Sequence, residues 1–524
     1  MKPRQHLQFC TTCAIALLFI SNLLAVEEPY ERPNIVFIFT DDHAVHSIGA
    51  YGSRINKTPN IDRLAQRGMV FENSFCTNAV CGPSRACIQT GKHSHINGFK
   101  SNGYRFNSEQ WTFPKALRKA GYQTAVIGKW HLGSDPIGYD YWEILPSQGN
   151  YYNPDFYKIS LSGSPGGSDN MKSYEGYCTD VVTNLGLEWL DKRDTNKPFL
   201  LMIQHKAPHR PWMPALRHIT NYADEEIPEP ATLFDTHENR DRSLSECELT
   251  IDKQLYYSND LKIWEDVPWA TDFEKRIQNQ EYKRMTDEQK QAWDAVYGPR
   301  NREFLKDAPK GKDLIRWKYQ RYIKDYLRCI DAVDENVGRV LDYLDQHGLA
   351  ENTVVIYSSD QGFFLGDHGW YDKRWMFEES MRMPFIISWP EAVEPGSRNR
   401  NLIQNIDYAP TFLEMAGAEI PRGVQGLSLV PTLKDKNKSL RDCAYYHYYA
   451  TKGGYKVPSQ EGVRTDRYKL INFYGSEGFN LFDLKKDPME IHDVSKDPAY
   501  QDVFEEMKGK LDKLRQEYKV TNPA

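Results

Sequence analysis

The first residues that could do chemistry are Cys81-Gly82-Pro83-Ser84-Arg85, continuing through Ala86-Cys87-Ile88-Gln89 to Thr90-Gly91. A soft nucleophile stands at the mouth of a turn punctuated by Gly82 and Pro83, with Ser84 placed to cap a first helical turn. Free backbone N–H groups at a helix start, with the fixed charge of Arg85 beside them, suit an oxyanion. The residues alone leave a bland alternative, since a lone cysteine near a turn is commonly a small buried core residue. A thiolate phosphatase would need an arginine six residues after the cysteine, and position 87 is Cys.

A second set is made of hard oxygen donors: Asp41, Asp42 and Asp360, to which Gln361 can add an amide oxygen. Such a set favours Ca²⁺ or Mg²⁺ over zinc. His43, His46, His93 and His95 lie nearby in sequence, but their spacing forms no zinc cage. Lysine and histidine recur at Lys129, His131, His205, His209 and Lys373. They can hold anionic oxygens and move protons.

Most of these groups directly follow an apolar run: Asn34–Thr40, Thr124–Ile127, Phe199–Ile203 and Thr353–Tyr357. Apolar on both faces, these runs read as buried parallel strands. Helical stretches separate them, near Thr58–Gly68, Thr112–Ala120, Asp180–Leu190 and Ile315–His347. In the last, Tyr322, Ile323, Tyr326, Ile330, Val333, Val337, Leu341 and Leu344 keep helical spacing, and Gly348 is the stop. The pattern predicts an α/β fold whose ligands bind where the strands end. Asp41/Asp42, Lys129/His131, His205/His209 and Asp360/Gln361 would meet there. One such pair is compatible with an ordinary polar loop; four arriving at one edge argue for a site.

Residues 145–175 are rich in Gly, Ser, Pro and Tyr and read as a surface loop. Residues 212–312 read as a long insertion, whose Trp264, Trp269 and Trp293 either stack on sugar rings or form the insertion's own core. After Pro410–Pro431, the runs Tyr468–Phe473 and Phe479–Asp483 predict a hairpin, and an amphipathic helix follows over Tyr500–Tyr518. This adds a small antiparallel sheet with a terminal helix.

A length of 524 residues makes two domains the default, and a net charge of -6 argues against a nucleic-acid partner. Lys2 and Arg4 precede an apolar run from Ala14 to Ala25, too short to span a bilayer. It reads as a signal peptide over residues 1–25, so the chain is expected to be exported, periplasmic or secreted. Cys10 and Cys13 sit in no convincing lipobox, so no membrane anchor is expected. Export permits disulfides, but spacing assigns none among Cys76, Cys87, Cys178, Cys247, Cys329 and Cys443.

Cys81 to Gly91, read as Cys-x-Pro-Ser-Arg-x-x-x-x-Thr-Gly, resembles the signature of type I, formylglycine-dependent sulfatases at every fixed position. Gly128-Lys129-Trp130-His131-Leu132-Gly133, Pro208-His209-Arg210-Pro211 and the lysine of Gly369-Trp370-Tyr371-Asp372-Lys373 extend the resemblance, which spans essentially the whole mature chain. It implies an alkaline-phosphatase-like sandwich, with a large mixed, mainly parallel sheet flanked by helices and a smaller C-terminal antiparallel sheet domain. The catalytic domain would cover residues 30–410 and an α+β subdomain residues 411–524. It further implies that a formylglycine-generating or anaerobic sulfatase-maturing enzyme oxidises Cys81. One Ca²⁺ would be held by residue 81 with Asp41, Asp42, Asp360 and Gln361, the last standing where Asn or His is commoner. In the implied mechanism a hydroxyl of the formylglycine hydrate, favoured as its anion by Ca²⁺ and Arg85, attacks sulfur. Lys129 and Lys373 hold sulfuryl oxygens, His209 protonates the departing sugar oxygen, and His131 deprotonates the second hydroxyl so that sulfate leaves.

Narrower stretches are similar to bacterial N-acetylglucosamine-6-O-sulfatases: His205–Arg210, Arg316–Tyr322, Asp360–Lys373 and Tyr445–Tyr449. They imply a sulfated saccharide substrate, the 6-O-sulfate of N-acetylglucosamine in glycosaminoglycan or mucin glycans. His205, His368, Arg374 and His447 would contact the sugar. Lys456–Glu461 departs from the basic, histidine-containing stretch of similar proteins, which keeps 2-O-sulfated uronate or N-acetylgalactosamine sulfate open. A phosphodiesterase or phosphonate hydrolase of the same superfold, or a non-catalytic sulfated-glycan binder, are the alternative functions.

Overall fold

The four apolar runs form β1 (Asn34–Thr40), β2 (Gln123–Gly128), β3 (Phe199–Gln204) and β4 (Thr353–Ser359). They lie side by side and parallel in the order β4-β1-β3-β2. Phe37 and Ile38 are both fully buried although their side chains point to opposite faces, which explains the continuous apolar run. The computed structural model describes residues 32–158, 170–264, 267, 271–277, 280–450, 455–476 and 478–521. Residues 1–25, read as a signal peptide, lie outside them, as does Trp269.

Register aligns the strand ends. Thr40 pairs with Ser359, Phe39 with Gln204, and Gly128 also with Gln204. Asp41, Asp360, Lys129 and His205 therefore leave the sheet at one level. Gly128 makes the exit beside β3 possible, because it has φ +102° and a Cβ there would lie 1.9 Å from the Gln204 carbonyl oxygen.

Around this centre the described residues form a ten-stranded sheet. Beyond β4 stand Phe385–Ser388, antiparallel to it, then Met69–Phe75 and Ser397–Gln404. Beyond β2 stand Tyr141–Ile144, Asp155–Lys158 and Met171–Ser173. The last two fall in the segment read as a loop. Both are short, four and three residues, and only Met171–Ser173 is the edge strand, so neither is long enough to show the apolar alternation that marks a strand.

Cys81 opens helix α1 (Cys81–Thr90), in which every residue is buried. Val80 holds the N-cap position, so Ser84 is not the cap expected from the sequence. Pro83 is tolerated because the first turn's N–H groups have no helical partners. The insertion contains helices and no strand among its described residues; its longest is α2 (Asp287–Lys306), opened by a capping box of Thr286 and Gln289. Trp293 is fully buried, stacked on Tyr297 at 4.3 Å and on the half-buried Trp264 at 5.3 Å, so Trp293 belongs to the insertion's own core.

α3 (Lys312–Gln346) runs for 35 residues, about 50 Å at 1.5 Å each. Its Tyr326 hydroxyl accepts from Ala44 N and donates to the Asp42 carbonyl, at 2.8 and 2.7 Å, which fixes the chain just after β1. Its Asp334 accepts from the backbone N–H groups of Asn60 and Ile61, capping the helix Pro59–Arg67. At the C-terminal end Cys443–Tyr448, Gln460–Thr465, Tyr468–Phe473 and Phe479–Asp483 form a four-stranded antiparallel sheet. Met507, Leu511 and Leu514 of α4 (Gln501–Glu517) close a core with Tyr445, Val463, Leu470 and Leu481. Cys76, Cys87, Cys178, Cys247, Cys329 and Cys443 are all buried free thiols.

Candidate active site

At the level where β1, β2, β3 and β4 end, carboxylate oxygens of Asp41, Asp42 and Asp360 lie within 4.8 Å of one another, all three residues buried. Gathering three acids out of water is costly unless cations match them. Three do. Lys129 lies against Asp41, and Lys373 Nζ reaches both Asp42 oxygens at 2.7 Å. The guanidinium of Arg85 clasps Asp360 Oδ2 through Nε and Nη2, both at 3.0 Å. Burial still raises the Asp42 carboxyl to about 7, Lys373 working against the rise and Asp360 adding to it.

The donor chemistry fits a hard divalent cation. Gln361 donates its amide N–H to Asp42, while its Oε1 is a buried acceptor with no donor. Three carboxylates and a free amide oxygen are an oxygen-only set of the kind Ca²⁺ takes. Three acids matched by three bases are close to neutral, so a divalent ion would leave the site positive, as a sulfate ester requires.

Cys81 Sγ, Asp41 and His209 also come within 4.8 Å of one another, and Gln361 Nε2 is 3.9 Å from the sulfur. Burial pushes the Cys81 thiol up to about 12. A catalytic thiolate needs the opposite shift. The same burial, with Lys129 next in weight for both, holds His131 and His209 well below the ordinary imidazole value. His209 Nδ1 donates to the Arg210 carbonyl at 2.7 Å, leaving Nε2 on the site side, 3.8 Å from Asp42. Arg210 is itself locked by the insertion, its Nε on Asp260 Oδ1 at 2.6 Å. Asp42, His131, Asp372 and Arg374 are non-glycine residues with φ between 55° and 91°. Left-handed backbone of this kind costs of order 1–3 kcal/mol per residue and gathers at functional sites.

A family model described as "Sulfatase" matches residues 33–418. The chain belongs to the sulfatase family. A second model, the C-terminal part of N-sulphoglucosamine sulphohydrolase, matches residues 366–517 of this sulfatase. An N-acetylglucosamine-6-O-sulfatase of Bacteroides thetaiotaomicron is 45% identical over 505 residues, 95% of this chain and 88% of that protein. A solved structure of a protein in complex with its substrate D-glucosamine-2-N,6-O-disulfate superposes with TM-score 0.88 at 44% identity, covering 94% of this chain and 99% of that one. Human N-acetylglucosamine-6-sulfatase is 27% identical over 468 residues, 82% of this chain and 70% of that protein.

The sulfatase brings Cys81, Arg85, Lys129, His209, Lys373 and the four candidate oxygen donors together, with His131 electrostatically close to Lys129 and Arg85. Arg374 flanks Lys373 and pairs with Asp372 at 3.1 Å. Of the other three residues assigned to the sugar, His368 and His447 have partners elsewhere, and His205 is buried with neither ring nitrogen hydrogen-bonded. His205 follows β3 by one position and is buried, its charged neighbours being Asp180 and Arg339 on the helical layer. His368 binds Asp235 at 2.8 Å; Asp235, His237 and His368 converge as metal ligands would, but Arg240 already neutralises that carboxylate. His447 stacks on Tyr449 at 3.9 Å beside Glu461 and Tyr445, on the strand face opposite Tyr446, whose hydroxyl donates to the Arg374 carbonyl.

Sequence reading missed several supports. Gln204 Oε1 accepts from Arg85 Nη1 at 2.9 Å, and Asn102 Oδ1 accepts from Gly82 N at 3.1 Å. Asn405 donates to Ser84 Oγ at 2.8 Å, while Ser84 donates to the Asp360 carbonyl. Gln204 ends a strand and was within reach of the strand-end rule; Asn102 and Asn405 sit in loops that carry no such signal.

Proposed function

We propose that this sulfatase removes the 6-O-sulfate from N-acetylglucosamine or N-sulfoglucosamine in glycosaminoglycan or mucin glycans. The carrying observation is the 45% identity, along 95% of the chain, to an N-acetylglucosamine-6-O-sulfatase. The substrate in the similar solved structure supports it, since that sugar carries a 6-O-sulfate. The test is release of sulfate from saccharides defined as 6-O-, 2-O-, 3-O- and 4-O-sulfated. Preference for the 6-O-sulfated glucosamine is expected; preference for 2-O-sulfated uronate would refute the regiochemistry and leave the sulfatase reading standing.

In this reading Cys81 is converted by a maturation enzyme to formylglycine, whose hydrate supplies an oxygen nucleophile and a second hydroxyl. Asp41, Asp42, Asp360 and Gln361 would hold Ca²⁺, which would supply positive charge toward the sulfate and the nucleophile. Lys129 and Lys373 trade their carboxylate contacts for sulfuryl oxygens. His131 accepts a proton from the second hydroxyl, consistent with a neutral ring. His209 is held neutral before substrate arrives, and the negative charge of a bound sulfate favours its protonation. It then gives that proton from Nε2 to the departing sugar oxygen. Export by the N-terminal segment places the enzyme where such glycans are met.

A general acid matters most when the leaving group is poor. Replacing His209 by alanine is expected to cost roughly 10²–10⁴ in kcat on a sugar sulfate. On 4-nitrophenyl sulfate, whose phenolate leaves unaided, the loss should be far smaller. Equal losses on both substrates would remove His209 from that role.

A further inference from the structure

The stretch Arg316–Tyr322 divides into two faces, and only one serves the catalytic rim. Tyr322 of α3 donates to the Phe364 carbonyl and, a turn on, Tyr326 holds Asp42. Trp317, Arg321, Lys324 and Arg328 recur at helical spacing on the opposite face. With Arg300 of α2 they line a cavity of about 370 Å³ between the insertion and α3.

We propose that this cavity is a second binding site for an acidic saccharide, remote from the reacting centre. This rests on the substrate class proposed above.

The cavity is basic. Four cations line the cavity, Arg300, Arg321, Lys324 and Arg328, against two acids, Glu303 and Asp307, both of which are exposed. Among the described residues Arg300, Arg321 and Lys324 have no carboxylate within ion-pair distance. Arg321 is spent on neutral groups, the Leu261 carbonyl at 2.9 Å and Asn301 Oδ1 at 2.7 Å. Arg328 shares Asp325 with Lys262, and its Nη2 is buried without a partner. A buried guanidinium nitrogen with nothing to bind is costly unless an anion visits. Shape is the second feature. Trp317 lies on Phe304 at 4.0 Å as a flat apolar wall, while the Gln320 amide, also in the lining, is held at both ends by the Ile227 backbone. An aromatic wall and converging cations suit a pyranose bearing sulfate or carboxylate. The size is within the range of small-ligand pockets. Such a site would let the enzyme hold one part of a sulfated chain while another enters the catalytic rim, raising the local substrate concentration.

The test is calorimetric titration of the Cys81→Ser protein, which does not turn over, with a 6-O-sulfated glucosamine disaccharide. Two equivalents are expected to bind. The double substitution Arg300→Ala and Lys324→Ala, both half-exposed side chains, should weaken one of the two by at least about tenfold and leave the other intact. In the Cys81 background the same double variant should cleave 4-nitrophenyl sulfate normally but show a several-fold higher KM for a sulfated oligosaccharide at unchanged kcat. A single equivalent, insensitive to those substitutions, overturns the second site while leaving the catalytic reading untouched. Inorganic sulfate competing as well as the disaccharide, at equal ionic strength, overturns the saccharide assignment. Loss of the equivalent that is indifferent to Arg300 and Lys324 in an Asp42→Asn variant identifies it as catalytic, so the two readings fail separately.

Discussion

Cys81→Ser is expected to fold normally and to lose turnover by at least about 10³-fold, the scale on which a missing nucleophile is felt. Residue 81 is 1% exposed and sits at the first position of α1, where the helix is held by Asn102 and Asn405 and not by the thiol. Oxygen for sulfur therefore changes little in packing. The chemistry changes entirely. With its thiol at about 12, an unmodified Cys81 would be thiolate in roughly one molecule in 10⁵ at pH 7. Neither Lys373 nor Arg85 is enough to reverse the effect of burial, because Asp360 and Asp42 oppose them. An aldehyde hydrate avoids that difficulty, since it presents oxygen and keeps a second hydroxyl with which to expel sulfate. Serine presents oxygen but has no second hydroxyl, so attack would stop at a sulfated side chain. Intact mass of Cys81→Ser after incubation with substrate should show a retained sulfuryl group, and steady-state sulfate release should be lost. Full activity would eliminate the mechanism. In the unsubstituted protein, activity should follow conversion of the peptide around residue 81, measured by mass spectrometry after coexpression with a maturation enzyme.

The central sheet was legible because four runs such as Asn34–Thr40 are buried on both faces and leave no amphipathic ambiguity. Met69–Phe75, Phe385–Ser388 and Ser397–Gln404 were not, since polar residues interrupt the first and last, the middle one is only four residues long, and their pairing is decided by partners far away in sequence. The same limit applies to the site. Residues that follow strand ends, Asp41, Lys129 and Asp360, could be placed by topology alone. His205 follows a strand end too, but strand alternation puts its ring on the other face from Gln204, which took the contact with Arg85. A rule that counts strand ends cannot see that one-residue difference. Asp260, fifty residues from Arg210 and within the insertion, had no sequence signal linking it to His209.

Asp360→Asn is expected to remove activity and Ca²⁺-dependent stability together, and the balance of terms says how. The substitution is isosteric but leaves a fully buried Arg85 without its counter-charge, a loss of about 3–5 kcal/mol when a buried pair is broken. Against this, it removes one of three converging carboxylates and so relieves Asp42. Without cation the two effects partly cancel. With cation only the loss remains, because a ligand is missing. Thermal unfolding of the unsubstituted protein should therefore rise with Ca²⁺, by about 2.7 kcal/mol at a hundredfold excess over Kd, and that of Asp360→Asn should not. The pH dependence separates the terms. Asp42 has a folded value near 7, above its ordinary 3.8, so its contribution to stability is present below pH 4 and lost as pH rises toward 7. Metal-free protein should weaken over that window. Asp360→Asn should weaken less, since one of the charges that raises Asp42 is gone, and Ca²⁺ should abolish the slope in the unsubstituted protein alone. A slope unchanged by Ca²⁺ would mean that these carboxylates do not hold the ion.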